Sequence, residues 1–170
     1  SAIKAKANID YLTGLYNRSY LEETANEWLQ EASINNESIQ CLVLDIDNFK
    51  GINDEFGHLF GDEAIKLVSK ACSSTLKENE LIGRYGGDEF VVILKGATRE
   101  EGLIKAKQLN HSIRNLCINK DEKTVRIKVS IGMSNNLDRK VETFENLFYS
   151  ADMALYEAKK GGKNQIRVSR

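Results

Sequence analysis

A chain of 170 residues fits one domain, large enough to bury a core without disulfide or metal staples. Its 41% hydrophobic and 29% charged residues are ordinary for a globular protein, and a net charge of -1 gives no field for a nucleic-acid polymer, although a few local Lys and Arg side chains can serve a single nucleotide. No apolar run approaches membrane-spanning length and no signal peptide is visible, so no membrane contact by this domain is expected.

Ser1–Ile9 reads as the end of a helix entering from an upstream segment, and a first residue other than Met suggests a piece of a longer chain. The folded domain is expected over residues 10–170. Asp10–Asn17 breaks the pattern at Thr13-Gly14. Arg18 to about Ile34 is predicted helical, with Leu21, Ala25, Trp28 and Leu29 on one side. Ile39–Leu44 is a nearly continuous apolar run, as in a strand buried on both faces. Phe49–Phe56 reads as a short helix ending at Gly57, and Ala64 to Leu76 as a longer one. Leu81–Ile82 and Phe90–Leu94 flank a Gly86-Gly87 turn, a hairpin signal because glycine reaches positive φ without a Cβ clash. Thr98 with Glu101 forms a capping box ahead of Leu103, Ala106, Leu109, Ile113 and Leu116. Val125, Ile127, Val129 and Ile131 alternate with polar residues, predicting one strand with a wetter face. Phe144 to Ala158 carries a clear helical stripe stopped by Gly161-Gly162, and Ile166–Val168 closes as a short strand. Cys41, Cys72 and Cys117 have no metal-ligand spacing, and each is expected to pack as a small hydrophobe in a reducing compartment. The order contains a β-α-β-β-α-β core: an α/β (α+β) domain with a mixed, mostly antiparallel sheet, of the kind called a palm when strand-borne carboxylates hold metals.

Two acidic clusters end apolar runs, Asp45-Ile46-Asp47 and Asp88-Glu89. On a strand, Asp45 and Asp47 would share a face while Ile46 points away. Such carboxylates suit magnesium, which takes one or two of them plus phosphate oxygens; taken alone, they could equally terminate a strand. Asn53 and Asp62 offer an amide and a carboxylate to a base edge; the carboxylate matches guanine's adjacent ring N–H and amine. Asp62 could instead cap a helix beginning near Glu63. Lys159 and Lys163 bracket Gly161-Gly162, either as terminal-phosphate cations or as helix C-terminal charges.

These motifs, in this order, resemble the GGDEF-domain diguanylate cyclases. The resemblance runs from Asp10-Tyr11-Leu12-Thr13-Gly14-Leu15-Tyr16-Asn17-Arg18 to Gly162-Lys163-Asn164. It passes through Asp45–Lys50, Asn53-Asp54, Gly57-His58, Gly61-Asp62, Gly86–Phe90, Ser130-Ile131-Gly132 and Asp152–Tyr156. It implies a palm-like nucleotidyl cyclase fold and condensation of two GTP into cyclic di-GMP with release of pyrophosphate. It also implies Asp45, Asp88 and the Ile46 carbonyl as metal ligands, with Glu89 beside them in metal binding or hydroxyl activation. Asn53 and Asp62 would read guanine, the backbone of Phe49-Lys50 and the cations Lys159 and Lys163 would hold phosphate, and Arg84 would help neutralise it. The implied ion is magnesium, with manganese able to replace it. The implied partners are GTP, a second copy supplying the other half-site, and an upstream sensory or receiver domain; the expected location is the cytoplasm, even where the parent chain is membrane-anchored. The alternative reading is a catalytically silent GTP-binding module of the same fold. Three positions depart from the family's habit: Ser19 replaces a second Arg, Lys163 replaces Arg, and Lys77-x-x-Glu80 stands where an inhibitory Arg-x-x-Asp would bind product.

Overall fold

The computed structural model describes residues 7–138 and 141–170. Most of the expected entering helix, residues 1–6, lies outside them; Ile9 makes an isolated bridge to Tyr16. In chain order the elements are α1 (Arg18–Asn35), β1 (Ile39–Ile46), α2 (Phe49–Phe56), α3 (His58–Ser73), β2 (Glu80–Arg84), β3 (Glu89–Lys95), α4 (Arg99–Arg114), β4 (Cys117–Lys120), β5 (Lys123–Arg126), β6 (Val129–Asn135), α5 (Phe144–Lys160) and β7 (Ile166–Val168).

Five strands form the main sheet in the order β2-β3-β1-β6-β7, antiparallel except for the β6–β7 pair. β1 is central and covered on both faces, which is why its sequence is apolar without interruption. Ile39, Cys41 and Val43 pack towards α1 and α5, whereas Leu42, Leu44 and Ile46 pack towards α2, α3 and α4. Asp45 continues the first series and therefore rises on the α5 side of the sheet. The close approach of α5 has a local cause. A Cβ on Gly132 would lie 2.0 Å from the Ala151 carbonyl oxygen and 2.4 Å from the Leu155 nitrogen, so only glycine lets the helix backbone rest on β6. Side-chain caps set three helix starts: Asn17 on α1, the Thr98–Glu101 capping box on α4 and Thr143 on α5.

The expected strand through Val125–Ile131 is two strands. β5 pairs with β4 in a separate hairpin, the chain breaks at Ile127-Lys128, and β6 then enters the main sheet. All of β6 is buried, so the wetter face belongs only to β5. Alternation could not separate them because the period continues across the break. Cys117 sits exposed on β4 instead of packing inside, unlike Cys41 and Cys72. α3 begins at His58, not near Glu63, and Leu76 lies beyond its end, exposed.

Candidate active site

The last residues of β1 and the β2–β3 connection meet at one end of the sheet. Asp45 and Glu89 are direct partners in the β1–β3 register, placing both side chains on one sheet face. The Ile46 N–H donates to the Asp88 carbonyl at 3.3 Å, tying the signature turn to the end of β1. The Asp88 carboxyl comes within hydrogen-bonding reach of Asp45, and Lys159 on α5 donates its ammonium to Asp45 Oδ2. Burial, then Asp88, pushes the Asp45 carboxyl up to about 7 against the pull of Lys159. Burial also raises Glu89 to about 7, helped by the charges of Asp152 and Asp45. Asp152 is raised for the same reasons, burial first and Asp45 second.

Beside this cluster opens a cleft of about 390 Å³ lined by Ile46, Asn48, Phe49, Lys50, Asn53, Asp88 and Lys159. Six of the seven are residues singled out from sequence; Asn48 is the addition. It initiates α2 in the left-handed conformation and provides no side-chain cap, leaving the first-turn N–H groups without that partner. Lys163 lines a neighbouring cleft of about 420 Å³ that shares Asn48 and also contains Arg126 and Lys128. Asp62 lies within the second turn of α3, whose cap position is Gly57, so its helix-cap alternative falls.

Asp47 does not share the Asp45 face. It lies one residue beyond β1, where strand alternation no longer applies, and its carboxylate accepts from Ser130 Oγ at 2.7 Å and from the Asn164 N–H at 2.8 Å. It thereby pins the loop carrying Lys163 against β6. Arg84 is likewise engaged within the chain. Its Nε and Nη2 donate to the Gly87 carbonyl at 3.1 and 2.7 Å, and its Nη1 contacts both oxygens of Asp10 at 3.3 Å. Burial alone would raise the Asp10 carboxyl, but hydrogen bonds from Thr13 and the Arg84 charge hold it below the usual range. Arg84 thus clamps the turn through Gly87 and Asp10. Neither Gly86 nor Gly87 adopts positive φ, so the conformational reason offered for the pair does not hold. A Cβ on Gly87 would meet nothing within 4 Å, and nothing among the described residues requires a glycine there.

A family model described as "Diguanylate cyclase, GGDEF domain" matches residues 7–165. The chain belongs to the GGDEF-domain family. Similar curated proteins include the probable diguanylate cyclase DgcC of Escherichia coli, 35% identical over 161 residues, which cover 94% of this chain and 43% of that protein. The diguanylate cyclase DgcZ of the same organism is 34% identical over 160 residues, 94% of this chain and 53% of its own length. This GGDEF domain thus spans about half the length of these relatives. Among solved structures, the Pseudomonas aeruginosa diguanylate cyclase SiaD in complex with its activator SiaC matches with a TM-score of 0.92 at 30% identity, over 99% of this chain and 64% of that one. The GGDEF domain of Caulobacter crescentus DgcB, in complex with c-di-GMP, matches with a TM-score of 0.89 at 28% identity, over 95% and 93% of the two chains.

The donor set of this GGDEF domain fits a divalent cation that prefers oxygen ligands. Asp45 Oδ1 is buried with no hydrogen-bond partner, while Asp88 approaches the same carboxyl group. Among the described residues no three His, Cys, Asp or Glu side chains form a ready-made cage. That suits an ion held by one or two carboxylates together with substrate phosphate. Sequence reasoning assigned no role to Asp152, whose charge acts on Glu89 and which belongs to the same α5 face as Lys159. It gave none to Asp10, the anchor of Arg84. Helical spacing, seven residues from Asp152 to Lys159, was the available signal for the first; nothing local points to the second. Among the described residues no helix is long and apolar enough to cross a membrane.

Proposed function

We propose that this GGDEF domain is a diguanylate cyclase that condenses two GTP molecules into cyclic di-GMP and releases pyrophosphate. One observation carries the reading: Asp45, with a buried oxygen left unpaired, meets Lys159 and Asp88 beside a cleft that those two line together with Phe49, Lys50 and Asn53. In this reading Asn53 and Asp62 bind guanine, and the uncapped N–H groups at Phe49-Lys50 hold phosphate. Lys159, with 34% of its side chain exposed, passes its ammonium from Asp45 to phosphate when substrate enters, and Lys163 approaches from the adjoining cleft. The 3′-oxygen of one GTP forms the new bond to the α-phosphorus of the other as the bond to pyrophosphate breaks, and a Glu89 carboxylate oxygen takes the hydroxyl proton. A magnesium ion held by Asp45, Asp88 and the Ile46 carbonyl, with manganese able to replace it, would polarise the phosphoryl group and acidify the hydroxyl. Each domain supplies one half-site, so two copies face each other across the two nucleotides. A sensory or receiver domain ahead of residue 10 brings them together, in the cytoplasm where GTP is available.

Incubation with GTP and magnesium, followed by chromatography, tests the reading. The expected product is cyclic di-GMP, with specific activity rising with protein concentration. Asp88→Ala should lower turnover on the order of a thousandfold or more with little effect on folding. GTP binding without product by the wild-type protein, at concentrations where it is dimeric, would instead identify a silent GTP-binding module.

A further inference from the structure

We propose that Gly61 is a specificity-determining positioning residue, which sets the Asn53 amide for guanine by presenting a bare backbone to it. The proposal rests on the cyclase reading above and deepens its account of base choice. α2 and α3 meet at Gly57, which ends one helix and begins the other with φ 92° and ψ 166°, a conformation open essentially to glycine. The Gly57 N–H donates to the Asn53 carbonyl at 2.8 Å, and the Gly61 N–H donates to the Gly57 carbonyl at 3.1 Å. This corner folds the last turn of one helix, which begins at Asn53, against the first turn of the next. A Cβ built on Gly61 would lie 1.8 Å from Asn53 Oδ1 and 3.2 Å from the Phe49 ring. The amide therefore occupies the space a side chain at 61 would fill.

The orientation of that amide has a chemical consequence. Asn53 Oδ1 is buried against α3 and has no hydrogen-bond partner. With the oxygen turned inward, the NH₂ group is the end left for the cleft that Asn53 lines. A donor there matches the guanine carbonyl oxygen and opposes the amine that adenine carries at the same position. Asp62, the residue after Gly61, is the acceptor for guanine's N–H groups in the cyclase reading above. Gly61 thus joins the donor on α2 to the acceptor on α3. An added methyl would displace the amide before it moved either helix, since its close contacts are the end of the flexible Asn53 side chain and alanine itself suits a helix.

The experiment uses nucleotides that cannot cyclise because they lack the attacking hydroxyl: 3′-deoxy-GTP and 3′-deoxy-ATP, with magnesium, titrated calorimetrically into the wild type, Gly61→Ala, Asn53→Ala and the double variant. Gly61→Ala is expected to weaken 3′-deoxy-GTP binding by about tenfold, the size of one lost hydrogen bond, while 3′-deoxy-ATP changes by less than about twofold. Asn53→Ala should give a similar loss, and adding Gly61→Ala to it should change affinity by less than about twofold. Wild-type affinity in Gly61→Ala, equal losses for both nucleotides, or an additive loss in the double variant would overturn the proposal while leaving the cyclase reading intact. Failure of the wild type to bind 3′-deoxy-GTP at all would overturn both. Thermal unfolding of each variant identifies a misfolded one, and if Gly61→Ala misfolds, Gly61→Ser must reproduce the guanine-selective loss or the proposal falls.

Discussion

Asp45→Asn should stabilise the metal-free protein above neutral pH and abolish its turnover. The Asp45 side chain is 16% exposed, stands against Asp88 and lies across the β1–β3 pair from Glu89. Burial and Asp88 raise its carboxyl from 3.8 to about 7, even with Lys159 bound to it. An acid whose folded pKa is raised binds its proton more tightly in the folded state. Its contribution to stability therefore declines as pH rises from the unfolded value through the folded one, here from 3.8 to about 7, and is level beyond. At about 1.4 kcal/mol per pH unit, the penalty above pH 7 is capped at about 4 kcal/mol. Water entering the open cleft screens part of it, leaving about 1–2 kcal/mol. Asparagine keeps the shape and cannot ionise, so the variant should melt about 2–8 °C higher at pH 8. The assay is thermal unfolding of both proteins in chelator at pH 4 and pH 8, followed by magnesium titration. At pH 4 the two should nearly coincide, and magnesium should raise the melting temperature of the wild type more than that of the variant. Destabilisation of the variant at pH 8 in chelator would mean that the Asp45–Lys159 pair outweighs the crowding of acids, and would refute the argument.

Arg84→Ala removes both the fork on Gly87 and the contact with Asp10 and should destabilise the fold by about 1–3 kcal/mol. Arg84→Lys should not restore it, because an ammonium cannot make the same two-nitrogen grip; denaturant unfolding and turnover measured together check this. Asp62→Ala should weaken GTP binding by about 1.5–3 kcal/mol with little change for ATP, and equal losses in a titration of both nucleotides would show that the residue does not read the base. Cyclic di-GMP should bind weakly at Lys77-x-x-Glu80, because Glu80 is held by the buried Lys105 ammonium at 2.7 Å and by the Lys77 N–H at 2.9 Å. Tight calorimetric binding that disappears in Lys77→Ala would contradict this.

Patterns confined to a few residues were legible in the sequence because local rules write them. Phe49–Phe56 is helical with the expected ends, Thr98–Glu101 forms its capping box, and the apolar run at Ile39–Leu44 is the doubly covered central strand. The signature turn, its flanking strands and most of the cleft lining could also be read, through resemblance of motifs more than through any single residue. Each of these needs only the period of a helix or strand, or a cap three residues away.

Whatever depended on distant partners was settled by the tertiary structure. Asp45 and Asp47 look equivalent two residues apart, yet one faces Lys159 across 114 residues of chain and the other is bound by Ser130, 83 residues away. Arg84 reads as a spare cation until Asp10, 74 residues earlier, is brought beside it. Glu80 looks available for a ligand until the buried Lys105 is placed against it. The β4–β5 hairpin departs from the main sheet although its alternation runs unbroken into β6. Side-chain type and period determine what a segment can bury and which bonds it can offer. Which carboxylate remains open to a cation, and which is consumed in holding the fold, is decided only when the sheet brings its donors together.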